Sequence, residues 1–207
     1  MSGTTPSLST LHALPSQILF TPDGTKIIVS ENTTNRLSVF HVNKNGTVTG
    51  PVINDSHGDG PFGSYFLSSG ILLVTETGPD AFSSYSLSGN GILNVISGSV
   101  PTGQMATCWV TVTREERNAY ATNTSSGTIT IYCIESNGVL TFVRNISSTS
   151  TGTPTGMPMN IEVSKDGRYL YSLNGNQGIV SVFNIKDDGS LDILQVAASS
   201  YFPYFRS

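Results

Sequence analysis

Most of this 207-residue chain can be aligned with itself four times. Glu31, Glu76, Asn123 and Asn174 fall in one column. Nine residues later come Phe40, Tyr85, Tyr132 and Phe183, and six after those Gly46, Gly91, Gly138 and Gly189. Both spacings hold without a gap, and the copies start 45, 47 and 51 residues apart. A repeat of this length lies in the range of β-propeller blades and outside the usual helical solenoid patterns.

Each copy reads as four strands. In the first, Gln17 to Phe20 is strand A, and Thr21-Pro22-Asp23-Gly24 has the chemistry of a tight turn. Lys26 to Ser30 is strand B, and Asn32 to Asn35 is a polar loop. Leu37 to Val42 alternates with period two as strand C, Asn43 to Gly46 is a hairpin turn, and Thr47 to Thr49 is strand D. The fourth copy repeats this wording from Ser164-Lys165-Asp166-Gly167 to Lys186-Asp187-Asp188-Gly189. No segment sustains a 3.6 period, so essentially no α-helix is expected. A four-stranded meander has two apolar faces, and stacking such sheets around an axis buries both. The expectation is one all-β domain over residues 1–207, a β-propeller with blades at about 15–50, 60–95, 104–143 and 157–195. The aromatic column on strand C is assigned to the core between blades.

Composition narrows the function. Only 12% of residues are charged and the net charge is −4, with no cluster of Lys and Arg to neutralise phosphates, which argues against nucleic acid. The longest apolar run, Gly70 to Val74, suits a buried strand and is far short of a membrane span. Met1 to Leu14 shows no charged leader or apolar h-region, so a cytoplasmic location is the default, and a secreted one follows if further chain precedes it. Sequons begin at Asn32, Asn45, Asn54, Asn123 and Asn145, about the number that a chain rich in Ser, Thr and Asn accumulates by chance. Cys108 and Cys133 do not have metal-site spacing and fall on non-adjacent strands of one blade, too far apart for a disulfide.

Several stretches carry a family resemblance: Gln17-Ile18-Leu19-Phe20-Thr21-Pro22-Asp23-Gly24, Pro61-Phe62-Gly63, Ser97-Gly98-Ser99-Val100-Pro101-Thr102-Gly103-Gln104, Cys108-Trp109-Val110 and Ala119-Tyr120-Ala121-Thr122-Asn123. Across residues 15 to 195 the chain resembles the lactonase-type β-propellers, which include 6-phosphogluconolactonase-like and 3-carboxymuconate cyclase-like proteins. The run from Ser97 to Val110 is the more specific part, since many propellers share the Pro-Asp-Gly turn. The resemblance implies seven blades where this chain has four. Either three blades are missing or four close a ring, and the seven-blade wording favours the first. The tail Tyr201-Phe202-Pro203-Tyr204-Phe205 fits no blade position.

The resemblance implies a small sugar or muconate lactone as substrate, hydrolysed or cyclised. No cofactor and no metal are implied, and the oligomeric state is open. A hard-cation site on Glu31, Asn123 and Asn174 would use suitable oxygen ligands but has no tight ligand spacing. In a propeller, strand A is innermost and strand B antiparallel to it, so the start of A and the end of B meet at one rim of the central channel, where ligands bind. Lactone hydrolysis needs a base for water and donors for the oxyanion. The catalytic candidates are Glu31, Glu76 and His57, the only histidine in a rim loop. The substrate-binding candidates are Gln17, Gln104, Trp109, Asn123, Asn160 and Asn174, with Gly63, Asp59 and Met157 on the same rim. The plainer alternative is that polar residues at strand-B ends cap edges and bond neighbouring loops. The family cleft combines His, Arg and Glu, but none of Arg36, Arg114, Arg117, Arg144, Arg168 and Arg206 aligns to the rim. This departure favours a second reading, a propeller that binds a protein or glycan without turnover; the missing blades and the aromatic tail favour a third, an inactive fragment.

Overall fold

The computed structural model describes residues 6–149 and 156–198, and the aromatic tail lies outside them. Sixteen strands and no helix occur among the described residues. Blade 1 comprises β1 (Pro15–Phe20), β2 (Lys26–Glu31), β3 (Arg36–Val42) and β4 (Val48–Asp55). Blade 2 comprises β5 (Pro61–Phe66), β6 (Ile71–Glu76), β7 (Ala81–Leu87) and β8 (Leu93–Pro101). Blade 3 comprises β9 (Thr107–Val112), β10 (Asn118–Asn123), β11 (Thr128–Ile134) and β12 (Leu140–Ser147). Blade 4 comprises β13 (Pro158–Val163), β14 (Tyr169–Asn174), β15 (Ile179–Ile185) and β16 (Leu191–Ala198). Every sheet is an antiparallel meander in chain order.

The outer strands run further than the pattern of apolar residues indicates, to Asp55, Pro101, Ser147 and Ala198. Gly50-Pro51 reads as a terminator, yet β4 passes through it after a register shift between Val39 and His41. Proline is tolerated there because β4 is the sheet's outer edge, where a missing N–H removes no ladder bond. The turn between β1 and β2 is tied by its carboxylate. Asp23 accepts bonds from the Thr21 hydroxyl (2.6 Å) and the Thr25 amide (3.0 Å), which lower its pKa to about 2.

Alternation divides each blade into two faces, and three apolar clusters fill the gaps between blades. Ile28, Leu37 and Val39 of blade 1 meet Leu72, Val74 and Tyr85 of blade 2. Leu73 and Phe82 of blade 2 meet Ala119, Ala121 and Tyr132 of blade 3. Tyr120, Ile129 and Ile131 of blade 3 meet Leu170 and Phe183 of blade 4. The aromatic column is thus core, with Phe40, Tyr85, Tyr132 and Phe183 all buried. The Tyr132 hydroxyl crosses to the Val100 carbonyl at 2.9 Å, which satisfies its polar end.

The four blades form an open arc rather than a four-bladed ring. A closed ring would bury the outward faces of the first and last blades against each other. Instead Ile18 and Phe20 on β1 are 63% and 62% exposed, and Leu173 on β14 is 47% exposed.

Candidate functional site

The register brings the start of A and the end of B together in every blade: Pro15 pairs with Glu31, Pro61 with Glu76, Thr107 with Asn123 and Pro158 with Asn174. All four column residues are nevertheless fully buried. Each bonds a hydroxyl seven positions later, on strand C of its own blade: Glu31 with Ser38 (2.5 Å), Glu76 with Ser83 (2.6 Å), Asn123 with Thr130 (2.7 Å) and Asn174 with Ser181 (3.0 Å). This bond recurs four times, so its first role is to pin strand B to strand C at the rim. The rim candidates Glu31, Glu76, Asn123 and Asn174 are thus closed to solvent, as the edge-capping alternative has it. In blades 2 to 4 the column faces the preceding blade and in blade 1 the segment before β1, places where an unpaired carboxylate would be costly.

The two glutamates differ in what lies above them. Glu31 accepts from the Ser9 amide (3.1 Å) and hydroxyl, from Thr34 (2.8 Å) and from Ser38. Burial pushes its pKa up, but these donors outweigh it and hold the carboxyl below its ordinary range. The segment before β1 closes over it, with the Asn32 amide on the Leu14 carbonyl (3.2 Å) and the Thr33 hydroxyl on the His12 carbonyl (2.6 Å). Glu31 therefore has no path to a ligand in this arrangement.

Glu76 is connected to the surface. Its Oε1 accepts from the Gly58 amide (2.9 Å), Ser83 (2.6 Å) and, at 3.5 Å, the Tyr85 hydroxyl. Its Oε2 accepts from the Ser99 hydroxyl at 2.6 Å. Ser99 Oγ lies 2.9 Å from Nδ1 of His57, whose ring is exposed and whose amide donates to Tyr85 at 2.8 Å. The hydroxyl has one proton and Glu76 takes it, so Nδ1 of His57 must donate to Ser99 and the lone pair is on Nε2. The result is a chain from a buried carboxylate through a serine to the imidazole of an exposed histidine, whose Nε2 can accept a proton.

Two glycines make room for this chain. A Cβ on Gly58 would collide with the Glu76 carboxylate and one on Gly98 with the His57 ring. Ser99 and both glycines escape a residue-by-residue reading, because the contact joins two distant stretches, Asp55–Gly60 and Ser97–Ser99. The one available signal is that two glycine-flanked polar stretches occur just before the loops leading into A.

The remaining candidates are mostly engaged in structure. Asn123 accepts from Thr107 (2.8 Å) and donates to Thr128 (3.0 Å). Gln17 accepts from the Ser64 amide (2.5 Å), and Gln104 accepts from Thr128 (2.8 Å) and donates to the Gly103 carbonyl (2.8 Å). Trp109 is half-buried, edge-on to Phe62 with ring centroids 5.4 Å apart. Gly63 lies where any side chain would strike the Cys108 carbonyl, and its amide donates to Thr75 at 2.9 Å. Asn160 is exposed and accepts only from the neighbouring Ile161 amide (2.7 Å) among its described contacts. Asp59 bonds Asn35 (2.7 Å) and so ties this loop to blade 1. Cys108 and Cys133 are free thiols. Among the described residues, no group of three His, Cys, Asp or Glu is placed to hold a metal ion.

An arc of four-stranded radial blades with a polar relay on one rim defines a β-propeller with its candidate chemistry on the loops leading into A. Comparison with known proteins narrows that class. Residues 99–200 match the family described as lactonase, 7-bladed beta-propeller. No curated protein matches the chain. A putative 6-phosphogluconolactonase from Bacteroides uniformis superposes with TM-score 0.76 at 16% identity, over 90% of this chain and 57% of its own. The periplasmic gluconolactonase of Pseudomonas aeruginosa gives 0.75 at 18%, over 90% and 57%. A virginiamycin B lyase from Staphylococcus aureus gives 0.64 at 16%, over 91% and 57%. At these identities the likeness is one of fold, and the chain spans 57% of the length of these structures. The chain as a whole has the β-propeller fold, and the family match rests on residues 99–200.

Proposed function

We propose that the loop before β5 carries a lactone-hydrolysing site in which His57 is the general base. The observation behind this reading is the chain Glu76–Ser99–His57, which leaves Nε2 of an exposed histidine unprotonated. Nε2 takes a proton from water as the hydroxide adds to the lactone carbonyl. The tetrahedral intermediate collapses by breaking the ring C–O bond, and the imidazolium returns the proton to the leaving alkoxide, giving a hydroxy acid. Glu76 is a positioning residue that acts through Ser99, since burial keeps it from the substrate. The family match and the gluconolactonase neighbour support a lactone as the substrate class.

The test is hydrolysis of a panel of γ- and δ-lactones by the purified chain and by His57→Gln. Turnover above buffer that falls at least tenfold in the variant supports the reading. Turnover unchanged by the variant removes His57, and no turnover at all leaves the propeller that binds without catalysis, which the lack of an unpaired rim arginine among the described residues favours.

A further inference from the structure

The two ends of the arc repeat the chemistry that joins its blades. Between blades 3 and 4, Tyr120, Ile129 and Ile131 pack with Ile161, Leu170 and Phe183, and Val163 lies against them. One repeat later, 51 residues on, the positions of Tyr120, Ile129 and Ile131 are held by Tyr171, Val180 and Val182. These lie on the face of blade 4 turned away from blade 3, where Tyr171 is 41% exposed. At the other end, Ile18 is opposite Val29 and Phe20 opposite Ile27, while in blade 4 Ile161 is opposite Ser172 and Val163 opposite Leu170. Ile18, Phe20, Ile27 and Phe40 thus stand in blade 1 where Ile161, Val163, Leu170 and Phe183 stand in blade 4. Blade 4 ends the arc with one half of the contact between blades 3 and 4, and blade 1 begins it with the other half.

The glycine column adds a polar counterpart. Its carbonyls accept from the preceding blade: Gly91 from Asn54 (3.0 Å), Gly138 from Ser84 (2.7 Å) and Gly189 from the Tyr120 hydroxyl (2.9 Å). Gly46, the first of the column, has no such donor among the described residues, and Tyr171 holds the position of Tyr120 one blade on. Of the strand positions on the outward face of blade 4, Glu162 and Asp192 are charged. Glu162 is exposed on the inner strand beside the channel, and Asp192 is paired with Lys186 at 2.7 Å on the outer strand, so both sit at the wet edges of the face. The middle of the face is apolar, and a repeat array whose end face is apolar needs a cover.

Independently of the hydrolase reading, we infer that blade 4 of one copy packs on blade 1 of a second copy, with the Tyr171 hydroxyl donating to the Gly46 carbonyl across the contact. A second copy is the occupant because the two end faces match each other as blade 3 matches blade 4, and neither matches itself. Made twice about a two-fold axis, this head-to-tail contact closes a ring of eight blades, within the range that propellers adopt.

The test is the mass of the purified chain in solution, by sedimentation equilibrium over a range of concentrations. Twice the mass of the chain is expected. Ile18→Lys and Tyr171→Asp each put a charge into both contacts of the dimer and should raise its dissociation constant at least about thirtyfold. Both positions are exposed in the single chain, so the fold is kept, which a thermal melt of each variant checks. Mixing the two variants is the decisive step. In the mixed pair one contact is unaltered and the other sets the introduced lysine beside the introduced aspartate, so the dimer should return. Tyr171→Phe removes only the hydroxyl and should weaken the parent dimer about tenfold across its two contacts. A monomer at every concentration overturns the inference and leaves the end faces to residues 199–207 or to a different protein. An open series of larger species overturns the ring. A dimer that only one of the charged variants breaks marks a contact between like faces and overturns the head-to-tail pairing, as does failure of the mixture to recover the dimer.

Discussion

The Ser99 hydroxyl is shared unequally between two residues, donating to Glu76 at 2.6 Å and accepting from His57 at 2.9 Å. A hydroxyl that gives its only proton to a carboxylate can only accept from a second neighbour, so this bond sets the imidazole tautomer. Ser99→Ala removes that constraint without opening a large space. The expected outcome is a drop in lactone kcat/KM of about tenfold or more, by analogy with the effect of losing other orienting partners of a base. Nitrogen-15 chemical shifts of His57 report the cause directly. They should show the Nδ1–H form in the parent and a mixture in Ser99→Ala, and an unchanged tautomer in the variant would defeat the assignment.

The two glycines around the relay should respond differently. Gly58 is buried, and a Cβ there meets the Glu76 carboxylate, which is held on every side. Gly58→Ala should lower the melting temperature, since overpacking costs about 1–3 kcal/mol. Gly98 is exposed and a Cβ there meets only the imidazole ring, which can swing away. Gly98→Ala should therefore keep the parent melting temperature while activity falls. Equal melting temperatures for the two variants would contradict this division.

Much of the fold was legible because a repeat supplies four chances to read each position. The turn residues, strand order and aromatic column followed from spacing, and the inter-blade clusters contain Tyr85, Tyr132 and Phe183 as the pattern required. The outer-strand ends were less legible, since β4 continues through Gly50-Pro51 where local propensity argues for a stop. Of the site, Glu76 and His57 were visible as residue types on one rim, but the serine joining them was not. Ser99 lies 23 residues from Glu76 and 42 from His57, and periodicity carries no information on such a pairing. Burial of the rim column was also hidden, although its signal was present. Ser38, Ser83, Thr130 and Ser181 form a hydroxyl column seven residues after the acid or amide, and a recurrent donor of this kind marks a structural bond.

That hydroxyl column makes a prediction for blade 3. Asn123 is fully buried and bonds Thr107, Thr128 and Thr130. Asn123→Leu removes three hydrogen bonds and leaves the Thr107 hydroxyl with Thr102 and the Thr130 hydroxyl with Asn145. Each buried hydrogen bond lost costs about 0.5–1.5 kcal/mol. Chemical denaturation should show a midpoint well below that of the parent. Asn160→Leu, at an exposed position on the same rim, is the control and should stay within about 0.5 kcal/mol.

The blade 1 network predicts a dependence of stability on acid. Hydrogen bonds from Ser38, Ser9 and Thr34 hold the folded-state pKa of Glu31 below its unfolded value despite burial. A group lowered in this way contributes stability that is fully present above the unfolded pKa, about 4.3 for a glutamate. That contribution is lost as pH falls through the lower folded value. Ser38→Ala removes the 2.5 Å donor and leaves desolvation less opposed, so the folded pKa rises. The variant should therefore be less stable at neutral pH and should also lose part of its acid dependence, because the gap between folded and unfolded values shrinks. Urea midpoints for parent and variant, measured from pH 7 down to pH 3, should converge as Glu31 becomes protonated in both. A constant difference between them across that range would show that Ser38 stabilises the blade by packing and not through the carboxylate.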